Sequence, residues 1–135
     1  MGRGVGEMHT LGRHFIVELS KCNASKLNDL AGVRSILSQA AIEANTEIKE
    51  LAFHHFYPQG VSGVVVIAES HLSVHTWPEN GYVALDIYTC GETANPVKAF
   101  EYISKAFQAG GMQVTEIIRG LPEQDGHYTH KESKE

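Results

Sequence analysis

Two β-rich segments flank the dipeptide Asn80-Gly81, and this arrangement constrains the fold more than any other feature of the chain. A type I′ turn needs positive φ at both central positions, and Asn-Gly between alternating segments is the strongest short-range hairpin signal. If those two residues form the loop, Trp77 faces Ala84, His75 faces Asp86, Ser73 faces Tyr88 and His71 faces Cys90. Strand alternation puts all eight side chains on one face and Leu72, Val74, Leu85 and Ile87 on the other. The apolar set is the natural seat for helices. The first set gathers imidazoles, a carboxylate and a thiol on the face that the helices leave open.

The rest of the chain supplies those helices and further strands. Met1 to Thr10, with three glycines and no periodicity, reads as a loose arm. His14 to Leu19 is a first strand, and from about Leu27 to Ala44 apolar residues recur at helical spacing, with Asn28 or Ser25 as cap. Thr46 to Phe56 is a second strand, closed by a turn at Tyr57-Pro58-Gln59-Gly60. Asn95-Pro96 opens a second helix, with Val97, Phe100, Ile103, Ala106 and Phe107 as its apolar stripe, and Gly110-Gly111 ends it. Met112 to Ile118 is a last strand with Met112, Val114, Glu116 and Ile118 on one face, and the tail from Leu121 is polar and frayed. Two helices and about five strands in this order predict an α+β two-layer sandwich, a largely antiparallel sheet with both helices on one face. The other face then lacks cover within one protomer.

At 135 residues the chain has the size of one domain. Its charge of -5 argues against a nucleic-acid surface. The longest apolar run, Val64 to Ala68, is far short of the roughly 20 residues that span a bilayer, and no apolar signal core precedes it, so a cytoplasmic protein without membrane attachment is expected. Two cysteines make no disulfide framework. Cys22, with no His or Cys at ligand spacing, reads as a small semi-buried residue.

Three readings of the open face compete on residue pattern alone. A metal site at His71 and His75 is disfavoured because four residues along a strand span about 13 Å, too far for two ligands of one ion. A wet polar face leaves Trp77 and Tyr88 uncovered. In the third reading, Ser70 at the end of an apolar strand attacks the carbonyl of Glu69 while a nearby imidazole handles the proton.

The residues Glu69-Ser70-His71, then His75-Thr76-Trp77-Pro78-Glu79, and Thr89-Cys90-Gly91 further on resemble very closely the prokaryotic S-adenosylmethionine decarboxylase proenzymes, a pyruvoyl-dependent family of polyamine biosynthesis. The likeness runs from about Leu11 through the helix after Cys90. It implies a single domain that cuts itself between Glu69 and Ser70 into chains 1-69 and 70-135, with Ser70 converted by ester formation, β-elimination and hydrolysis into the pyruvoyl cofactor that carries the substrate Schiff base. It further implies Ser62 as oxyanion support and His75 as the base in processing, and Cys90 as the acid that protonates the α-carbon after decarboxylation. Glu79 would hold the ribose and Phe56 would stack on the adenine, with Trp77 lining the site or packing at an interface; His54 and His55, which precede Phe56, are further candidates to line the site. The implied partners are S-adenosylmethionine and a second protomer packed on the open face, with active sites at the interface; no metal is implied. Pyruvoyl relatives of the same fold that act on arginine, and a dimeric binding module that never cleaves, are the alternatives. Asn80 stands where many relatives carry an aromatic, the arm Met1 to Thr10 has no evident counterpart, and the polar tail is unassigned.

Overall fold

The computed structural model describes residues 10–68 and 70–133. All but the last residue of the expected loose arm, and Glu69 of the expected cleavage pair, lie outside the described residues. Seven strands form one sheet: β1 (Gly12–Ser20), β2 (Ile48–His55), β3 (Val61–Ile67), β4 (Ser70–Trp77), β5 (Tyr82–Thr89), β6 (Gly111–Pro122) and β7 (Tyr128–Glu132). Their order is β2-β3-β4-β5-β1-β6-β7, and every neighbouring pair is antiparallel. Three helices accompany them: α1 (Ala24–Leu27), α2 (Leu30–Glu43) and α3 (Pro96–Ala106).

Alternation decides which sheet face is covered. Leu72 and Val74 of β4, Leu85 and Ile87 of β5, and Phe15, Val17 and Leu19 of β1 are buried on one face. They meet Val33, Leu37, Ala40 and Ala41 of α2 and Ala99, Phe100 and Ile103 of α3, each helix presenting a single apolar stripe at 3.6-residue spacing. Burial of each large side chain contributes about 1.5–3 kcal/mol. A one-residue slip of any central strand would turn that set to solvent, so the face is strongly specified. On β3, Gly63 is required because the Phe53 ring of β2 lies over it; a Cβ there would sit 2.0 Å from a ring carbon.

The hairpin register differs from the expected one. Trp77 pairs with Tyr82, His75 with Ala84, Ser73 with Asp86 and His71 with Tyr88. Pro78 has no N–H to give the ladder, so β4 stops at Trp77. Pro78–Asn80 then form a 3₁₀ turn and Gly81 alone takes the left-handed conformation, at φ 60°. The loop is four residues long rather than two. The shift is two residues, which preserves every face assignment while changing every partner.

Other corrections are local. The first helical segment is two helices, because Asn23 caps α1 and Asp29, whose carboxylate accepts from Gly32 N at 3.1 Å, starts α2; neither Asn28 nor Ser25 caps the long one. Helix α3 begins at Pro96 under the Asn95 cap, as expected, but ends at Ala106, and Gln108 takes the positive φ of 57° in place of a glycine. The polar tail is not frayed over its described residues, which end at Ser133: β6 runs to Pro122 and β7 pairs with it. Met112, Val114, Glu116 and Ile118 do share a face, on the helix side, yet Met112 is 44% exposed.

Candidate active site

The residues singled out in the sequence collect at the two ends of β4. At the C-terminal end, Ser62 of β3 is the cross-strand partner of His75 of β4, and its Oγ lies 2.7 Å from His75 Nδ1. An imidazole carrying its proton on Nε2 accepts the Ser62 hydroxyl proton at Nδ1, which fixes the ring against the sheet. Beside this pair is a cleft of about 330 Å³ whose walls include Phe56, Ser62, His75, Trp77 and Glu79. That volume lies in the range of about 300–1,000 Å³ typical of small-molecule sites. Phe56 is 48% and Trp77 39% exposed, so both present ring faces to an incoming ligand. Trp77 is itself backed by Tyr82, ring centroids 5.1 Å apart, and His54 meets Phe56 edge-on at 4.6 Å. Glu79 stands in the 3₁₀ turn that closes the β4–β5 hairpin.

At the N-terminal end, Ser70 opens β4 with φ 143°, a value that L-residues rarely adopt and that holds about 1–3 kcal/mol of strain. Its neighbour across the ladder is Thr89, the residue before Cys90, which puts the thiol-bearing residue beside Ser70 rather than opposite His71. Five residue-to-residue steps of extended strand separate Ser70 from His75, about 16 Å. The structure therefore brings Ser70 together with Cys90, and Ser62 and His75 together with Phe56, Trp77 and Glu79, but it does not bring the two groups together within one protomer.

Between them lies a polar centre. Asp86 Oδ1 is 3.0 Å from His14 Nε2, and Ser73 Oγ donates to Asp86 Oδ2 at 3.3 Å. His71 lies against Tyr88, whose ring also carries the Arg119 guanidinium 5.0 Å from its centroid. Burial foremost, then the cationic fields of His14 and Arg119, holds the His71 pKa below its ordinary 6.5 against the opposing pull of Asp86. The folded chain thus binds a proton at His71 less readily than the unfolded chain. The stabilisation is complete above pH 6.5 and drains away as pH falls. A His71→Gln chain is expected to lose less stability than its parent between about pH 7 and about pH 5, read from urea midpoints at each pH. An equal loss in both chains removes His71 as the source. Among the described residues no three His, Cys, Asp or Glu side chains cluster as metal ligands.

Two positions that sequence reasoning did not assign support the cleft. Thr76, buried among apolar neighbours, accepts from Val61 N at 2.9 Å and donates to Leu27 O at 2.8 Å. Asn28, read from sequence only as a helix cap, places Oδ1 3.0 Å from Gly60 N and 2.9 Å from His55 Nε2. Neither carries a local signal, because both act on residues more than ten positions away.

Comparison with known proteins agrees with this architecture. The chain matches the family described as S-adenosylmethionine decarboxylase over residues 13–120. It is 54% identical over 117 residues to the S-adenosylmethionine decarboxylase proenzyme of Syntrophomonas wolfei, covering 87% of this chain and 93% of that one. It is 51% identical over 123 residues to the proenzyme of the same description from Pyrococcus horikoshii, covering 91% and 88%. The crystal structure of the adenosylmethionine decarboxylase from Aquifex aeolicus superposes with a TM-score of 0.79 at 33% identity, over 87% of this chain and 98% of that one. With the family pattern spanning β1 through β6, and so both ends of β4, this chain belongs to the S-adenosylmethionine decarboxylase family.

Proposed function

We propose that this single-domain chain cuts itself between Glu69 and Ser70 and, as an assembly of two processed protomers, decarboxylates S-adenosylmethionine. The observation that carries the reading is the strained Ser70 with Cys90 beside its cross-strand partner, set at the far end of the same strand from the hydrogen-bonded Ser62 and His75. Strain at Ser70 raises the ground state of the bond to be broken. Attack of Ser70 Oγ on the Glu69 carbonyl breaks the peptide C–N bond and leaves an ester; loss of the Glu69 carboxylate by β-elimination and hydrolysis, with release of ammonia, complete the conversion of Ser70 to a pyruvoyl group. That group supplies an electrophilic ketone for the substrate amine and a conjugated amide carbonyl that accepts the electron pair freed with carbon dioxide.

The chain's other residues divide the remaining work. Ser62 steadies the oxyanion of processing and His75 takes the proton that β-elimination releases. Cys90, adjacent to the site of chemistry, returns a proton to the α-carbon. Phe56 and Trp77 flank the adenine, and Glu79 accepts from the ribose hydroxyls; the open ring faces also suit a sulfonium cation.

A side chain about 16 Å from Ser70 cannot manage its proton, since proton transfer needs hydrogen-bond reach or one bridging water. A second protomer solves this. Two sheets packed open face to open face across a twofold axis bring the Ser70 end of one β4 to the His75 end of the other. The same packing covers Trp77, Tyr82 and Tyr88, which the helices leave open.

Release of carbon dioxide from carboxyl-labelled S-adenosylmethionine, measured beside labelled arginine, tests the assignment. Turnover of the nucleoside substrate with arginine at least about 10³-fold poorer is expected, because an arginine site has no use for two aromatic walls and a ribose acceptor. Turnover of arginine alone overturns it.

A further inference from the structure

The segment Phe56–Gly60 leaves the sheet between β2 and β3 and carries one wall of the cleft. Its side chains from Phe56 to Gln59 are exposed, Tyr57 almost fully. A short exposed loop of this kind has little packing to hold it, so ligand binding would have to order it at an entropic cost. Three hydrogen bonds at its base remove that freedom. Phe56 N donates to Gly60 O at 2.8 Å, closing the loop on itself. Gly60 N, in a buried glycine at φ 106°, donates to Asn28 Oδ1 at 3.0 Å. His55 Nε2, from the residue immediately before the loop, lies 2.9 Å from the same oxygen.

One carbonyl oxygen has two lone pairs, and here both are taken by the two ends of one loop. The amide orientation is dictated by chemistry: Gly60 N–H can only donate, so the Asn28 atom facing it is the oxygen, and His55 must then carry its proton on Nε2. Asn28 sits where α1 ends, and α1 is itself held by the Asn23 cap and by Thr76 Oγ1 donating to Leu27 O. The bracket thus joins the loop to the covered side of the sheet. Because Thr76 lies between His75 and Trp77 and also receives Val61 N, next to Ser62, the same bracket refers the Phe56 wall to the opposite wall of the cleft.

We propose that Asn28 is a positioning residue for nucleoside recognition, holding the Phe56–Gly60 loop in its binding geometry before the ligand arrives. The inference rests on the cleft reading given under Proposed function. It predicts a defect in nucleoside affinity and not in the chemistry at Ser70, because the loop that Asn28 holds carries the Phe56 wall and no group that moves a proton.

The test uses the full processed chain and two readouts. The single tryptophan, Trp77, lines the cleft, so its fluorescence reports binding of 5′-methylthioadenosine, which has the nucleoside but no amine or carboxylate. Asn28→Leu is expected to raise that Kd and the KM for S-adenosylmethionine about tenfold, with kcat within about twofold and self-cleavage unchanged. Asn28→Ala, which adds no bulk, should match it, while Asn28→Asp keeps both acceptor contacts and should return Kd to within about threefold of the parent. Parent-like binding by Asn28→Leu and Asn28→Ala overturns the role, as does an Asn28→Asp chain no better than they are. A fall in kcat and self-cleavage as large as the rise in Kd marks general damage to the fold and also overturns it. Failure of the unsubstituted chain to bind the nucleoside at all is a separate result: it removes the cleft reading beneath the proposal.

Discussion

A Ser70→Ala chain is expected to stay a single 14.8 kDa polypeptide under conditions in which its parent separates into residues 1–69 and 70–135, and to have no measurable decarboxylase activity. Alanine has no hydroxyl to attack the preceding carbonyl, so neither the ester nor the ketone can form. The electron sink supplies most of the acceleration in a reaction of this kind, where enzymes gain at least about 10⁶-fold. The loss should therefore reach the assay floor rather than a partial value. Intact mass reads the first effect and labelled carbon dioxide the second. The fold should survive, since the substitution removes one half-buried oxygen at a strand end and relieves nothing in the core. A Ser70→Ala chain that still cuts before residue 70, or one that decarboxylates, removes the self-processing account altogether.

The second large effect concerns complementation. Cys90→Ala damages the Ser70 end of β4 and Glu79→Ala the His75 end. Each alone is expected to lower kcat/KM at least about 10²-fold, while cleavage persists because neither side chain acts in it. If each active site takes its Ser70 end from one protomer and its cleft from the other, a mixed dimer holds one site with both defects and one with neither. Random co-assembly makes half of the dimers mixed, so co-expression should recover about a quarter of the parent activity from two nearly inactive chains. Activity equal to the average of the two separate variants means that each protomer completes its own site, and the twofold arrangement proposed above is then wrong. The separation of about 16 Å is the physical reason to expect recovery: no side-chain rotation spans it.

Both expectations depend on where the chain places residues that are distant in sequence, and here the contributions of sequence and structure divide cleanly. Alternation in Leu72, Val74, Leu85 and Ile87 was enough to say which side chains face the helices, because the two-residue period of a strand is local and survives any even shift of register. The helix stripes, the Asn95-Pro96 start of α3 and the α+β layering followed in the same way from spacing and cap chemistry. Ser70, His75 and Cys90 stand out for the same local reason, as reactive side chains within one hairpin, whereas Glu79 is singled out only by the family resemblance.

Register, by contrast, was decided by the loop. Pro78 ends the ladder and its ring fixes φ, so the Asn80-Gly81 pair could not form the two-residue turn that its composition suggests. Strand β7 was invisible to composition because an edge strand needs few apolar residues; its backbone hydrogen bonds to β6 hold it, and those depend on β6 being already docked on β1. Asn28 and Thr76 gained their roles only when α1 folded onto the ends of β2, β3 and β4, since a single amide or hydroxyl has no periodicity to betray its partner. What the amino-acid sequence determined by itself is the set of reactive groups and the face on which His71, His75 and Asp86 lie. What only the tertiary structure decided is their distance apart: β4 is a rigid extended strand, and its length separates Ser70 from His75 and Ser62 within one protomer.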